Sequence, residues 1–136
     1  MAILVPSVGD KLMLQYVLNN NLTLRLYSNN YTPDKTSTIS SFTEATESIP
    51  SPAYAAIPLI FSNWTISTDP VSHLTTAAYP KQIFYFNGGK VVYGYYITNS
   101  SEVLYTERFT TAPFTLPTPP SGQQNEIAIT LNIGFN

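Results

Sequence analysis

Ile83-Phe84-Tyr85-Phe86-Asn87-Gly88-Gly89-Lys90-Val91-Val92-Tyr93-Gly94-Tyr95-Tyr96-Ile97 is the stretch that decides the fold class. Two runs of aromatic and β-branched residues flank Asn87-Gly88-Gly89-Lys90, and such side chains suit a pleated, half-buried surface better than a helix. The four residues between the runs can supply the positive φ angles of a short turn, so a β-hairpin is expected. Successive side chains in a strand point to opposite faces, which puts aromatic groups on both faces of this hairpin. One face can fill a core. The other must pack under loops or a helix, or meet another molecule.

Working outward, Leu22, Leu24 and Leu26 alternate with Thr23, Arg25 and Tyr27, the pattern of a half-buried strand. The last strand repeats it, with Ile127, Ile129, Leu131 and Ile133 inward and Glu126, Ala128, Thr130 and Asn132 outward. Thr98-Asn99-Ser100-Ser101 leading into Val103-Leu104-Tyr105 suggests a second hairpin, and Ile39–Phe42, Ala55–Phe61 and Trp64–Ser67 are shorter strand candidates. About seven short strands with turn signals between them predict a mainly β chain, an antiparallel β-sandwich of jelly-roll or immunoglobulin-like type.

One short N-terminal helix is expected over residues 7–19, preceded by an extended arm over residues 1–6. Ser7 and Asp10 have the spacing of a capping box, and Asn19-Asn20-Asn21 can end the helix in a left-handed turn. Leu12 with Tyr16, Met13 with Val17 and Leu14 with Leu18 recur at i, i+4, an apolar face expected to pack on the sheet. The Pro50, Pro52 and Pro58 group and the Pro113, Pro117, Pro119 and Pro120 group mark loops or edge segments. Residues 29–38 read as a long loop. No repeat or linker divides the 136 residues, so a single domain is expected over residues 1–136.

Composition narrows the function. Hydrophobic residues make up 43%, enough for a core, while charged residues are only 10% against roughly 25% in an ordinary soluble domain. A net charge of −2 gives no attraction to phosphate backbones, so a nucleic-acid partner is not expected. With no cysteine, disulfides and thiolate chemistry are excluded. The start lacks a basic segment followed by a long apolar run, and no stretch has the ~18 apolar residues of a membrane span. Synthesis in a cytoplasm without export, and no membrane partner, are the expectation.

The chemistry-bearing residues are sparse. His73 is the sole histidine, and a Ser-His-Asp site drawn with Asp69 would fit many surface loops equally well. Gly88-Gly89-Lys90 lacks the rest of a phosphate-binding loop. Glu44 and Glu47 could pair as in a glycosidase, but nothing prefers them over Glu102 and Glu107. No catalytic residue, metal site or cofactor is therefore assigned, and the chain is not expected to be an enzyme.

Contact residues are a better prospect. Glu107 and Arg108 are adjacent on a strand and face opposite ways, so one charge should be half-buried or lie at a subunit contact, unless a bulge frees both. Tyr is enriched at interfaces, and a nearly uncharged surface can give up about 800 Å² per partner while desolvating few charges. The candidate interface residues are Ile3, Leu4 and Val5 of the arm, Tyr93 and Tyr95, Arg108, and Pro117 and Pro119.

In order and spacing, several segments resemble small virion structural proteins of tailed bacteriophages, particularly phages of environmental bacteria. They are Ile3-Leu4-Val5-Pro6-Ser7-Val8-Gly9, Leu22-Thr23-Leu24-Arg25-Leu26-Tyr27-Ser28-Asn29-Asn30 with Thr32-Pro33, and Phe42-Thr43-Glu44-Ala45. Tyr54-Ala55-Ala56-Ile57, Trp64-Thr65, Tyr79-Pro80-Lys81-Gln82-Ile83-Phe84, Tyr93-Gly94-Tyr95-Tyr96 and Glu107-Arg108-Phe109 continue the likeness to about Phe114. Tyr105 stands where the group often has Trp, and the proline-rich segment before Ile127 is less similar. The resemblance implies a capsid decoration or cement protein: a compact sandwich, commonly a homotrimer, that sits on the major capsid protein and bridges coat subunits in the virion. It implies no catalysis and no cofactor. A tail, baseplate or fibre component and a carbohydrate-binding adhesion module are the rival expectations.

Overall fold

A computed structural model of the chain describes residues 3–47 and 54–134. Met1 and Ala2 of the expected arm, and Pro50 and Pro52, lie outside the described residues. Among the described residues the protein is mainly β, with one α-helix, α1 (Ser7–Leu18), and antiparallel sheets. The strands are β1 (Leu22–Tyr27), β2 (Ile57–Leu59), β3 (Thr65–Thr68), β4 (Thr75–Phe86), β5 (Lys90–Val92), β6 (Gly94–Thr98), β7 (Val103–Arg108), β8 (Phe114–Leu116) and β9 (Asn125–Gly134). They form a four-stranded sheet in the order β2-β1-β6-β7, a three-stranded sheet β3-β4-β9, and a two-stranded ribbon β5-β8. Among the described residues, no helix is long and apolar enough to cross a membrane.

The two larger sheets pack face to face. Leu22, Leu24, Leu26, Tyr95 and Ile97 from one meet Ala77, Tyr79, Phe84, Phe86 and the four inward residues of β9 from the other. The alternation predicted for β9 is realised: Ile127, Ile129, Leu131 and Ile133 are all buried. β4 pairs with β9 along most of its length, with an irregularity between Tyr79 and Gln82. Pro80 lies there, where a residue without an N–H disrupts the ladder least.

Three sequence expectations need correction. The 83–97 stretch is not a hairpin: β4 pairs with β3 and β9, whereas β5 pairs with β8 and β6 with β1 and β7. None of residues 87–90 has positive φ. The chain crosses between sheets there, held by the Glu47 carboxylate, which accepts the Asn87 and Gly88 N–H groups at 3.0 and 3.2 Å. Secondly, Ile39–Phe42 is no strand. Thr38 and Ser41 form a reciprocal capping box that winds Ile39–Ser41 into a 3-10 turn.

Thirdly, Ser7 does not cap α1. Pro6 occupies the N-cap, no side chain bonds the first turn, and the Ser7 hydroxyl instead lies 3.5 Å from the His73 carbonyl. The C-terminal end follows expectation, with Asn19 as C-cap and Asn21 at φ 53°. The 113–120 group follows expectation, since β8 inside it pairs only with β5, as an edge strand of the two-stranded ribbon. The 98–101 hairpin is realised: the Asn99 side chain accepts the N–H groups of Ser101 and Glu102 at 2.9 and 2.7 Å, and β6 runs back as β7.

Candidate interaction surfaces

The outer face of the β2-β1-β6-β7 sheet carries the aromatic residues that the sequence marks as a possible interface, and the chain covers it itself. Residues 28–45 fold back across it, bridging to β1 through Ser28 N–H to Thr43 O at 2.8 Å and Ala45 N–H to Leu26 O at 2.9 Å. Phe42 stacks on Tyr96 with ring centroids 4.6 Å apart and meets Tyr27 and Tyr31 edge-on at 5.0 and 5.3 Å. Beside this cluster, Arg25 Nη1 donates to both Glu44 oxygens, the longer bond at 3.1 Å, and Arg25 Nε donates to Thr98 Oγ1 at 3.2 Å. Burial disfavours the Arg25 charge, but the hydrogen bond and charge of Glu44 outweigh it and raise its pKa.

Two candidate interface residues are thereby relocated. Tyr95 is 8% exposed, part of the inter-sheet core, and its hydroxyl donates to Glu107 Oε2 at 3.1 Å. Arg108 is half-buried, as one of the two adjacent charges was expected to be, but its contacts are internal. It donates to Tyr31 O at 3.0 Å and Asn30 Oδ1 at 2.9 Å and lies 5.2 Å over the Tyr93 ring, leaving Tyr93 half-buried too. Pro117 is exposed and Pro119 half-buried; the Pro117 carbonyl accepts from the Asn125 amide.

The candidate chemical groups do not converge. Asp69 spends its carboxylate on the N–H groups of Val71 and Ser72 at 2.7 and 2.8 Å, which lowers its pKa, while His73 takes a positive φ in the same turn. Glu44 pairs with Arg25 and Glu47 with the 87–88 turn, so these two acids serve different contacts. Among the described residues no three His, Asp or Glu cluster as a metal site. Sequence reasoning missed one juxtaposition: Glu107 and Glu126 line a cleft of about 320 Å³ with Phe109 and the 42% exposed Phe114. Its signal is long-range, since β7 and β9 come together only through the sandwich.

Among the described residues, seven of the fifteen large apolar side chains left in water lie within residues 3–16. Ile3 and Leu4 are 92% and 87% exposed, whereas Val5 folds back until a Cβ on Gly9 would stand 2.9 Å from its Cγ1. Only one of the three i, i+4 pairs read from α1 is buried, Leu14 with Leu18; Leu12, Met13 and Tyr16 are exposed. A single seam of a short helix reaches the sheet, and the other rows turn away from it.

Five tyrosines, buried at positions 27, 95 and 96 and half-buried at 54 and 105, give the fold a pH limit. Burial raises the phenol pKa of Tyr27, Tyr54, Tyr95, Tyr96 and Tyr105, that of Tyr96 to about 12; the Glu107 charge adds to the effect at Tyr95. An unfolded tyrosine ionises near ~10. The neutral ring is favoured in the folded chain, so stability holds below pH 10 and falls as pH rises through the folded-state values. Absorbance at the tyrosinate band should show late, cooperative ionisation coinciding with loss of circular dichroism. Ten tyrosines titrating together near pH 10 in a chain that stays folded would contradict this burial. No protein family, curated protein or solved structure matches the chain.

Proposed function

We propose that the chain is a bacteriophage capsid decoration or cement protein that binds the outside of the major capsid protein lattice and stabilises the mature shell. The observation that carries this reading is the arm: Ile3 and Leu4 sit almost wholly in water on an uncharged segment before α1. Burying each such side chain is worth about 1.5–3 kcal/mol, so the arm gains most from a neighbour that covers it. The outward residues of β9, namely Ala128, Thr130 and Asn132 beside the single charge of Glu126, add a neutral face that is cheap to desolvate. Contacts available only on the expanded lattice would favour that lattice by mass action. The likeness of the arm and the β1, β4 and β6 segments to phage virion proteins directs the reading to a capsid.

The test is binding to mature shells of virions that carry the chain. The double variant Ile3→Asp, Leu4→Asp is expected to lose at least tenfold in shell affinity with its circular dichroism unchanged. Virions should hold the protein in copy numbers comparable to the coat. Unchanged binding, or a few copies per particle, overturns the reading, and the second result moves the chain to a tail, baseplate or fibre. A glycan-binding module is favoured only by the Phe114, Glu107 and Glu126 cleft; glycan binding abolished by Phe114→Ala would establish it instead.

A further inference from the structure

Most sheet edges of this chain are blunted, and one is not. β2 is three residues long and carries Pro58, β3 has four residues, and β7 combines a register shift opposite Ile97 and Thr98 with the charges of Glu107 and Arg108. β9 is an edge strand of ten residues, without proline, whose sole charge is Glu126. The extra residue of the irregularity between Tyr79 and Gln82 is on β4, so β9 itself runs straight. Its free side is a row of backbone groups. Asp69 N–H donates to Leu74 O at 2.9 Å, which sets the alternation: Thr76 and Ala78 turn their backbone groups to β3, so Ala77 and Tyr79 turn theirs to β9. Leu131 and Ile133 answer them, and the N–H and C=O of Glu126, Ala128, Thr130, Asn132 and Gly134 point away from β4. Among the described residues none of these outward groups has a partner. Clefts of about 320 and 770 Å³ separate the two ends of the strand from β7, so the row is open to an incoming chain.

We infer that β9 pairs with β9 of a second copy, antiparallel about a two-fold axis at Thr130, joining two β3-β4-β9 sheets into one of six strands. A row of alternating donors and acceptors is matched by an extended backbone, and an isologous two-fold needs only one such edge. Centred on Thr130, the register brings all five outward residues into hydrogen-bonded pairs: Thr130 with its counterpart, Ala128 with Asn132, and Glu126 with Gly134, about ten bonds in all. Any other register leaves some of the five unpaired. The charges agree with this pairing, since the two Glu126 carboxylates come to lie at opposite ends, about 27 Å apart, and no like charges stand opposite one another. The side chains of Ala128, Thr130 and Asn132 still face outward, so the neutral face is doubled and not consumed. The pairing goes beyond the lattice-bound reading and does not rest on it, and it replaces the trimer implied by resemblance with a dimer.

The chain contains no cysteine, so one introduced thiol reports one position. Under mild oxidation of the full chain, Thr130→Cys should cross-link to dimer, its two Cα atoms about 5.5 Å apart across the axis. Ala128→Cys and Asn132→Cys should each fail alone, because like positions lie about 14 Å apart along the strands. Mixed together, those two variants should cross-link. Thr130→Pro removes an N–H that β4 does not use, and an edge strand tolerates proline where its N–H faces away from the sheet. It should weaken self-association at least tenfold in sedimentation equilibrium with circular dichroism unchanged. The double variant Ala128→Lys, Asn132→Lys sets like charges opposite one another without touching the backbone, and the same loss is expected. A monomer, a trimer, an Ala128→Cys and Asn132→Cys mixture that does not cross-link, or a lysine variant that associates as the parent does overturns the inference. Amide exchange over 126–134 that slows only on shells gives this edge to a coat strand and overturns it too. A dimer that binds no shell supports the pairing and counts against the capsid reading alone.

Discussion

Gly94→Ala is expected to cost about 3 kcal/mol or more, beyond the ordinary range of overpacking, because nothing near this residue can yield. A Cβ placed there would stand 2.7 Å from Tyr27 Cε1 and Oη and closer still to the Glu107 carbonyl. That carbonyl belongs to β7, which Gly94 pairs with through Arg108, and Tyr27 is its partner on β1. Relief would require β6 to move away from both neighbours. The reason for glycine is close approach, since φ at Gly94 is not positive. Gly122 supplies the contrast: its φ is +77° and nothing lies within 4 Å, so alanine there should cost only the left-handed penalty of about 1 kcal/mol. Urea unfolding followed by Trp64, buried against Tyr79 with centroids 4.9 Å apart, measures both. A Gly94→Ala midpoint equal to that of the parent chain would mean the strand has room that this packing denies it.

The same glycine shows where sequence reading stopped. β9 and β1 were legible because each has one apolar face at period two, and the 98–101 turn because asparagine there bonds its own backbone. The 83–97 stretch offers aromatic residues on both faces, so its pattern cannot say which strands lie beside it. Its nearest neighbour in sequence was the wrong choice. The real partners come from β1, β7, β8 and β9. Of the contact residues, Ile3 and Leu4 were legible as an apolar, uncharged arm, while Tyr95 was misplaced because it faces the opposite sheet and Arg108 because the 28–45 segment takes its hydrogen bonds. The exposure of Leu12, Met13 and Tyr16 had a signal: the apolar pairs of α1 span more of its circumference than one sheet contact can bury.

That covering segment rests on one ring, and Phe42→Ala should release it. Phe42 is 7% exposed and touches Tyr27, Tyr31 and Tyr96 at once, so its loss is expected to cost about 3 kcal/mol. The cost has two parts that can be separated. Global stability falls through the lost burial of three tyrosine rings, which shifts the urea midpoint. Local order falls because the remaining ties are polar and mostly partly exposed: the Arg25–Glu44 pair, worth at most about 1 kcal/mol, the bonds of Arg108 and the Tyr27 hydroxyl to residues 30 and 31, and the backbone bonds at residues 28 and 45. Lys35 sits in the exposed part of this segment, so trypsin should cut there at least tenfold faster in the variant under conditions where Trp64 still reports a folded core. Phe42→Leu, which keeps apolar volume but not the stack, should recover part of both. If cleavage at Lys35 does not accelerate, the segment is held by its polar ties, and the tyrosines of β1 and β6 owe their burial to something other than Phe42.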